Sequence, residues 1–520
     1  MKALVISCLS IFVCFVAIEY FVGAYSCCYM ELWTTFFYDH HYIFEKYFVV
    51  GGGACLVADF IVQFFLSPAI ANMLMAFLLV AIFAVCYKVV ATTQFNIYAL
   101  IVSAIVPTTL LALTFSSDWL LCGTISMFFC LLCLWLRCKF DKYVSVYDLL
   151  CCVSLFLLFG PIAVLYVVSL FIIVKCNLKS LLVALALLII VLLMSYLTLR
   201  SGVVGKWQQI LTPMGYFNHH ADAPSEVFMP WISVLILVIW RRLKSFIAQK
   251  KLLSTTISVF LLVITSAITV NRFVKHEEQL FKKFSYLSCN AEWTKIIDEC
   301  GGRPSRNVLV QNCINQAWAH IGELGNHLLD NPQSNMAMLI SASIPNGYVA
   351  AQIGDIYYSM GHIAMARRYA FEANEHIGGF SPRLLQRLTL IAIIMGEYAE
   401  AEKYLNYLDC TIFYSKWAQK YKQLLSDEAI NKEAELLQMR KCLIKHNHFC
   451  AEDGLVADLI SIMRSNTEQK VTAQYLAAIA MFLGEQADYV PLIDKMQANG
   501  ALPQKLPKYF EQVYKMTKQK

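Results

Sequence analysis

Between residues 3 and 271 the sequence passes through six apolar stretches, 3–25, 69–88, 97–115, 119–136, 180–199 and 252–271, each near the length that crosses a hydrocarbon core. Inside lipid no water satisfies backbone N–H and C=O groups, so a crossing stretch of this kind must be helical. Three further stretches are harder to read. Residues 146–175 exceed one span and are broken by "FGPI" at Phe159 to Ile162, which predicts two short spans in a hairpin. Val227 to Trp240 is short, but Arg241 and Arg242 follow it and can snorkel to the interface. Gly51 to Leu66 carries "GGG", Asp59 and Gln63 and ends before Pro68, which reads better as a segment lying along the surface than as a crossing.

Charge separates the sides. With 51–66 on the surface, twelve of the fifteen basic residues up to Lys251 fall on one side: Lys2, Lys88, 137–142, 175–179 and 241–251. Positive charge collects on the cytoplasmic side, so nine spans are expected, with the amino terminus inside and the chain emerging outward after residue 271. The first run holds Glu19 and lacks a small-residue cleavage site, so it reads as a retained anchor. The expected organisation is a transmembrane bundle over 1–271 with outer loops 26–68 and 200–226, a linker over 272–284 and a helical domain over 285–520. That places a multi-pass protein in an inner (cytoplasmic) membrane with its carboxy-terminal domain outside the cytoplasm. The net charge of +6 comes largely from residues flanking the spans and does not argue for nucleic acid. Of 19 cysteines, thirteen lie in the first half, mostly within apolar runs where Cys serves as a small hydrophobe, and the other six show no metal-ligand spacing.

The second half has a different grammar. "AAQIGDIYYSMGHIAMARRYAFEANE" aligns with "RLTLIAIIMGEYAEAEKYLNYL", with Gly361 and Gly396 35 residues apart. Fainter copies surround Gly322 and Gly484. Each unit has an apolar helix, a turn glycine and a second helix with small residues at spacing four, which resembles the tetratricopeptide repeat and predicts an α-solenoid. Such a solenoid leaves a concave face for a protein or peptide partner, or simply supports the membrane half. The fold class expected is therefore all-α: a polytopic bundle followed by a tetratricopeptide-like solenoid. The order of parts, from "GGGACLVADFIVQFFLSP" to "NVLVQNCINQAWAHIGELGNHLL", resembles an uncharacterised family of polytopic Bacteroidota inner-membrane proteins over nearly the whole chain. That resemblance implies architecture and transfers no chemistry.

Candidate chemistry gathers in the outer loops. The first holds Glu31, Asp39, His40, His41, Glu45 and Asp59; the second holds His219, His220, Asp222 and Glu226. Clustered His and carboxylate groups suit a divalent metal or an acid/base pair, and His219, His220 and Asp222 are the candidate metal ligands. The competing reading is an interfacial loop with His and Tyr at headgroup level. The plan of an acid-bearing first outer loop, an interfacial helix and a soluble outer domain also resembles multi-span (C-class) lipid-donor glycosyltransferases. That resemblance implies a sugar delivered on polyprenyl phosphate, Asp39 as general base with Glu31 second, and Arg200, Lys206, His40 and His41 as substrate-binding groups. The doubled acidic motif common in that class is absent. Two functions stay open: transfer from a lipid carrier at the outer face, or a membrane-anchored repeat scaffold that binds an envelope partner. A transporter is disfavoured, because the spans hold few polar groups.

Overall fold

The computed structural model describes all residues except 1, 91–95, 140–143, 174–177, 203–204, 219–221, 244–249, 332–334, 342–345, 445–453, 485 and 520. The described residues are helical almost throughout and form two compact units, Met1–Gln279 and Leu280–Lys520.

The first unit opens with α1 (Lys2–Gly23), followed by three short helices of the first loop, α2 (Ser26–Glu31), α3 (His40–Tyr47) and α4 (Gly52–Val62). Then come α5 (Pro68–Val90), α6 (Ile97–Thr114), α7 (Leu121–Arg137), the hairpin α8 (Val144–Phe159) and α9 (Ile162–Ile173), and α10 (Leu178–Arg200). The second loop carries α11 (Trp207–Leu211), and α12 (Met229–Arg242) and α13 (Lys251–Phe273) complete the unit. Five helical segments are long and apolar enough to cross a membrane: Leu4–Gly23, Pro68–Val90, Ile97–Thr114, Ser180–Arg200 and Leu252–Phe273. The sequence leads one to expect nine. The difference lies in α7, α8, α9 and α12, of 17, 16, 12 and 14 residues, which fall short of the roughly 20 residues of a full span. At 1.5 Å per residue α4, with 11 residues, is only about 16 Å long.

Helix α6 is the most buried of the five segments and packs against α5, α12 and α13. Its polar side chains turn back on their own helix. Ser103 Oγ donates to Ala99 O at 2.6 Å and Thr109 Oγ1 to Val106 O at 2.8 Å, so neither leaves an unmet hydroxyl in an apolar setting. The same device recurs at Ser195, Thr265 and Thr269.

Helix α14 (His276–Cys289) carries the chain into the second unit, so the expected linker 272–284 is largely helical. The helices that follow are α15 (Trp293–Cys300), α16 (Val308–Ile321), α17 (Leu324–His327), α18 (Met336–Leu339), α19 (Gly347–Ser359), α20 (Ile363–Ile377), α21 (Pro382–Met395) and α22 (Tyr398–Asp409). After these come α23 (Ser415–Lys422), α24 (Ala434–Lys441), α25 (Gly454–Ser465), α26 (Lys470–Leu483), α27 (Gln486–Ala498) and α28 (Lys508–Gln519). Gly322, Gly361, Gly396 and Gly484 all have positive φ, between 72° and 84°, at the turns that follow α16, α19, α21 and α26. Only glycine takes that conformation without steric cost, which is why the four positions stand out in the sequence. Successive pairing of α19 with α20 and α21 with α22 follows the repeat pattern.

The helices do not form a simple row, however. Helix α26 packs against α16, α17 and α18 as well as its chain neighbours α25 and α27. Residues 471–480 of α26 are buried without interruption, and a helix covered on all sides sits at a centre rather than at the end of a stack. It also serves the turns: Thr472 Oγ1 donates to Met360 O at 2.7 Å and Gln474 Nε2 to Gly322 O at 3.0 Å, meeting carbonyls left over at two helix ends.

Candidate functional site

The first long loop is ordered by two carboxylates. Asp39, in extended conformation, is the N-cap of α3, and its Oδ2 accepts the Tyr42 backbone N–H at 2.9 Å. Asp59, on α4, receives the Tyr47 hydroxyl at 2.8 Å and stands 2.9 Å from Lys46 Nζ. The Lys46 ammonium also lies 5.3 Å from the Tyr42 ring centre and 5.2 Å from that of Tyr47, so the pair is walled by aromatic faces. Burial pushes the Lys46 ammonium down, but Asp59 and Tyr42 together, through charge and hydrogen bonding, more than offset it, and the group ends above its ordinary value. Burial, with the Asp59 carboxylate second, pushes the Tyr47 phenol up. The chemical result is a clamp that fixes α3 onto α4 with its charges cancelled.

The sequence candidates for catalysis and substrate binding themselves lie outside this clamp. Glu31 is buried at the end of α2; Asp39, His40 and His41 are exposed, and His41 Nδ1 lies 3.4 Å from Glu45 in an open pair. Arg200 at the end of α10, Lys206 just before α11, and Asp222 are exposed. Among the described residues Asp39 makes no side-chain bond beyond its cap, and no ion pair joins it to Arg200 or Lys206. His219 and His220 lie outside the described residues. No group of three or more His, Cys, Asp or Glu among the described residues could hold a metal ion.

The two long loops nonetheless share a seat. In the break between α8 and α9, Gly160 has φ +71°. From the first loop, Gly51 N–H donates to Leu157 O at 2.9 Å, and a Cβ on Gly51 would lie 3.5 Å from the Gly160 Cα. From the second, the Tyr216 hydroxyl donates to Phe159 O and accepts the Ile162 N–H at 3.0 Å. A Cβ on Gly215 would lie 2.0 Å from Gln209 O and 2.9 Å from Pro161, so only glycine fits there. The second loop is held further by Asn218 N–H donating to Asp118 O at 2.8 Å.

Sequence reading misses the strongest ionic clusters, because the partner of a charge is chosen by packing. In the hairpin, Asp148 takes Arg137 Nε at 2.8 Å and the Tyr166 hydroxyl at 3.0 Å. In the second unit Asp355 receives Arg383 Nη2 at 2.6 Å and Arg387 Nε at 2.8 Å, with the Arg387 guanidinium 3.8 Å above the Tyr358 ring. Burial would raise the Asp355 carboxyl, but the two arginines prevail and hold it below the usual carboxylate value. Alongside runs a ladder of buried amides on α16. Asn312 and Asn315 donate to Met338 O at 2.7 and 2.8 Å, Gln316 donates to Ser359 Oγ at 2.9 Å, and Gln352 of α19 donates back to Gln316 at 3.0 Å. At its edge His320 stacks on Trp293 at 4.0 Å, and burial, then the Arg387 charge, pushes its imidazole down to about 4. The amides are visible as "QNCINQ", but in sequence they are indistinguishable from a solvated face.

Glu19 is 1% exposed on the α1 seam formed with Phe15 and Gly23, and neither of its carboxyl oxygens has a hydrogen-bond partner among the described residues. On the second unit, an open cavity of about 560 Å³ is lined by Arg367, Gly396, Glu397, Tyr398 and Glu400. There Arg367 already bonds Glu397 and Glu400 at 2.9 and 2.8 Å, so its charges are internally matched.

Fold and composition together define an all-helical membrane protein with a large second helical unit. The chain belongs to a family of unknown function, DUF6057, whose pattern it matches over residues 1–518. No curated protein and no solved structure matches it.

Proposed function

We propose that this protein is a multi-pass membrane scaffold, in which the first unit anchors, on the outer side of the cytoplasmic membrane, a tetratricopeptide-like unit that takes an envelope protein or peptide as partner. The observation that carries this reading is the use to which the candidate acid is put. Asp39 caps α3 through one oxygen and stands exposed, with no ion pair among the described residues to Arg200 or Lys206, whereas a transferase would bring its base and its phosphate-binding groups to one site. The paired helices of the second unit supply the extended surface that such partners use. In this reading α7, α8, α9 and α12 join the five long segments as shorter crossings, and the basic residues beside them stay in the cytoplasm.

A second reading keeps transfer from a polyprenyl-phosphate sugar at the outer face, with Asp39 as base, Glu31 behind it, and Arg200, Lys206, His40 and His41 on the substrate. A divalent metal at His219, His220 and Asp222 would belong to it. It is favoured by one feature, the shared seat of the two long loops on the α8–α9 break. Complementation of a deletion strain separates the two. The scaffold reading expects Asp39→Asn to restore a normal envelope and a chain ending at residue 279 to fail while still inserting. A null Asp39→Asn strain with normal abundance would sink the scaffold reading in favour of transfer. Reporter fusions test the shared topology: activity outside the cytoplasm after residue 275 and inside it near Lys244 is expected, and the reverse would remove both readings.

A further inference from the structure

The exposed face of α3 carries an apolar ridge that neither reading uses. Phe44 and Phe48 are 63% and 78% exposed, and their rings stack at 4.7 Å and 16°. Val49 continues the ridge. Two large aromatics packed on each other at the surface of a loop are costly in water and mark an interaction surface. The backbone shows what that surface is continuous with. Two residues beyond Val49, Gly51 N–H bonds Leu157 O, and a Cβ on Gly53 would touch Leu158, so the ridge runs into the exposed Leu157 and Leu158 at the end of α8. The opposite face of α3 meets this arrangement with no spare charge, because the Lys46 ammonium is taken up by Asp59 and the Tyr47 hydroxyl is donated to the same carboxylate.

We infer that α3 lies flat in the lipid–water interface, with Phe44, Phe48 and Val49 below the headgroups of the bilayer that surrounds α8. The occupant of the ridge is membrane lipid. The chemistry is that of an aromatic interfacial anchor: rings at the acyl boundary, with His40, His41 and Glu45 at headgroup level beside them. The Asp39 cap and the Lys46–Asp59–Tyr47 clamp hold the two ends of the anchor. This inference depends on the chain spanning a membrane and not on which of the two functions it serves.

The test is carbene labelling of the full-length wild-type protein in lipid nanodiscs, mapped by mass spectrometry. One reagent is a phospholipid with a diazirine near the glycerol end of its acyl chain; the other is a small water-soluble diazirine. The expected result is lipid adducts on Phe44, Phe48 and Val49 with aqueous adducts confined to His40, His41 and Glu45, and lipid adducts on the exposed leucines of α10 as the internal control. Aqueous labelling of Phe44 and Phe48 would overturn the inference. So would protection of both rings from both reagents while α10 is labelled, since that outcome puts protein over the ridge. In a Phe44→Ser, Phe48→Ser double variant the lipid adducts on residues 40–50 should be lost while those on α10 persist.

Discussion

The two units differ in where their largest polar networks lie, although the Arg137–Asp148–Tyr166 cluster of the first also bonds across helices. In the first, hydroxyl groups of the long helices fold back onto carbonyls of their own turn, as at Ser103, Ser195 and Thr269, and large apolar side chains face outward, Leu182, Leu193 and Phe260 among them. In the second, the polar groups turn inward and bond one another across helices, as in the Gln316–Gln352–Ser359 chain and the Asp355–Arg383–Arg387 cluster. The contrast fits the long apolar segments of the first unit, whose outward side chains suit hydrocarbon. A lipid-facing helix must satisfy itself locally, whereas a helix in water can bring a polar network into its core provided the neighbours complete it.

Four changes would break or sharpen that comparison. The largest effect is expected from Asp355→Ala, which leaves two arginines facing each other in a nearly closed site. Removing one partner of a buried ionic cluster costs about 3–5 kcal/mol, so hydrogen exchange in α19 and α21 of the full chain should rise sharply while that of α5 and α6 stays put. If both units loosen together, the contrast between them is wrong.

Acid comes next. In the native fold His320 is held neutral down to about pH 4, against an ordinary imidazole value of 6.5. The unfolded chain therefore binds the proton first, and stability contributed at neutral pH is lost as the pH falls from about 6.5 toward 4. Every tenfold loss of proton affinity on folding corresponds to about 1.4 kcal/mol, discounted here because the ring is partly exposed. His320→Gln should flatten that part of the profile of apparent Tm against pH, and an unchanged slope would remove His320 as its source.

Asp59→Asn keeps the shape of the clamp but leaves Lys46 without its counter-charge, at a cost of about 1–2 kcal/mol. Protease cleavage within residues 40–50 should speed up several-fold with global unfolding little moved. The smallest effect distinguishes cap from base. Asn caps a helix about as well as Asp, so Asp39→Asn should leave α3 intact, whereas Asp39→Ala should cost about 1 kcal/mol, seen as faster amide exchange at Tyr42.

Much of this architecture is legible in the sequence because some features have only one cause. The turn glycines at 322, 361, 396 and 484 can be read from spacing, since a left-handed turn leaves few other choices. The five long apolar segments can be read because hydrocarbon thickness sets their length. Helix α7 reads as a near-full span and α8, α9 and α12 as short ones, because an apolar run does not announce where its helix stops. The closure of α26 onto α16 cannot be read, for the contact joins residues some 150 positions apart, as Gln474 to Gly322 illustrates. In the candidate site, Asp39 is visible as an acid among aromatics, yet its capping role depends on where α3 begins. Asp59 is visible too, but nothing in one dimension says that Lys46, rather than a substrate, meets it.

The common seat of the two long loops has a consequence for how this protein can change. Both loops take their position from the last turn of α8 and the break after it, one through Gly51 on Leu157 and the other through Tyr216 on Phe159 and Ile162. A single residue inserted or deleted in α8 would rotate that turn by about 100° and carry every one of these attachment points off its partner at once. Loop segments away from these contacts can therefore drift in length and chemistry, while the hairpin keeps its register as a datum common to both.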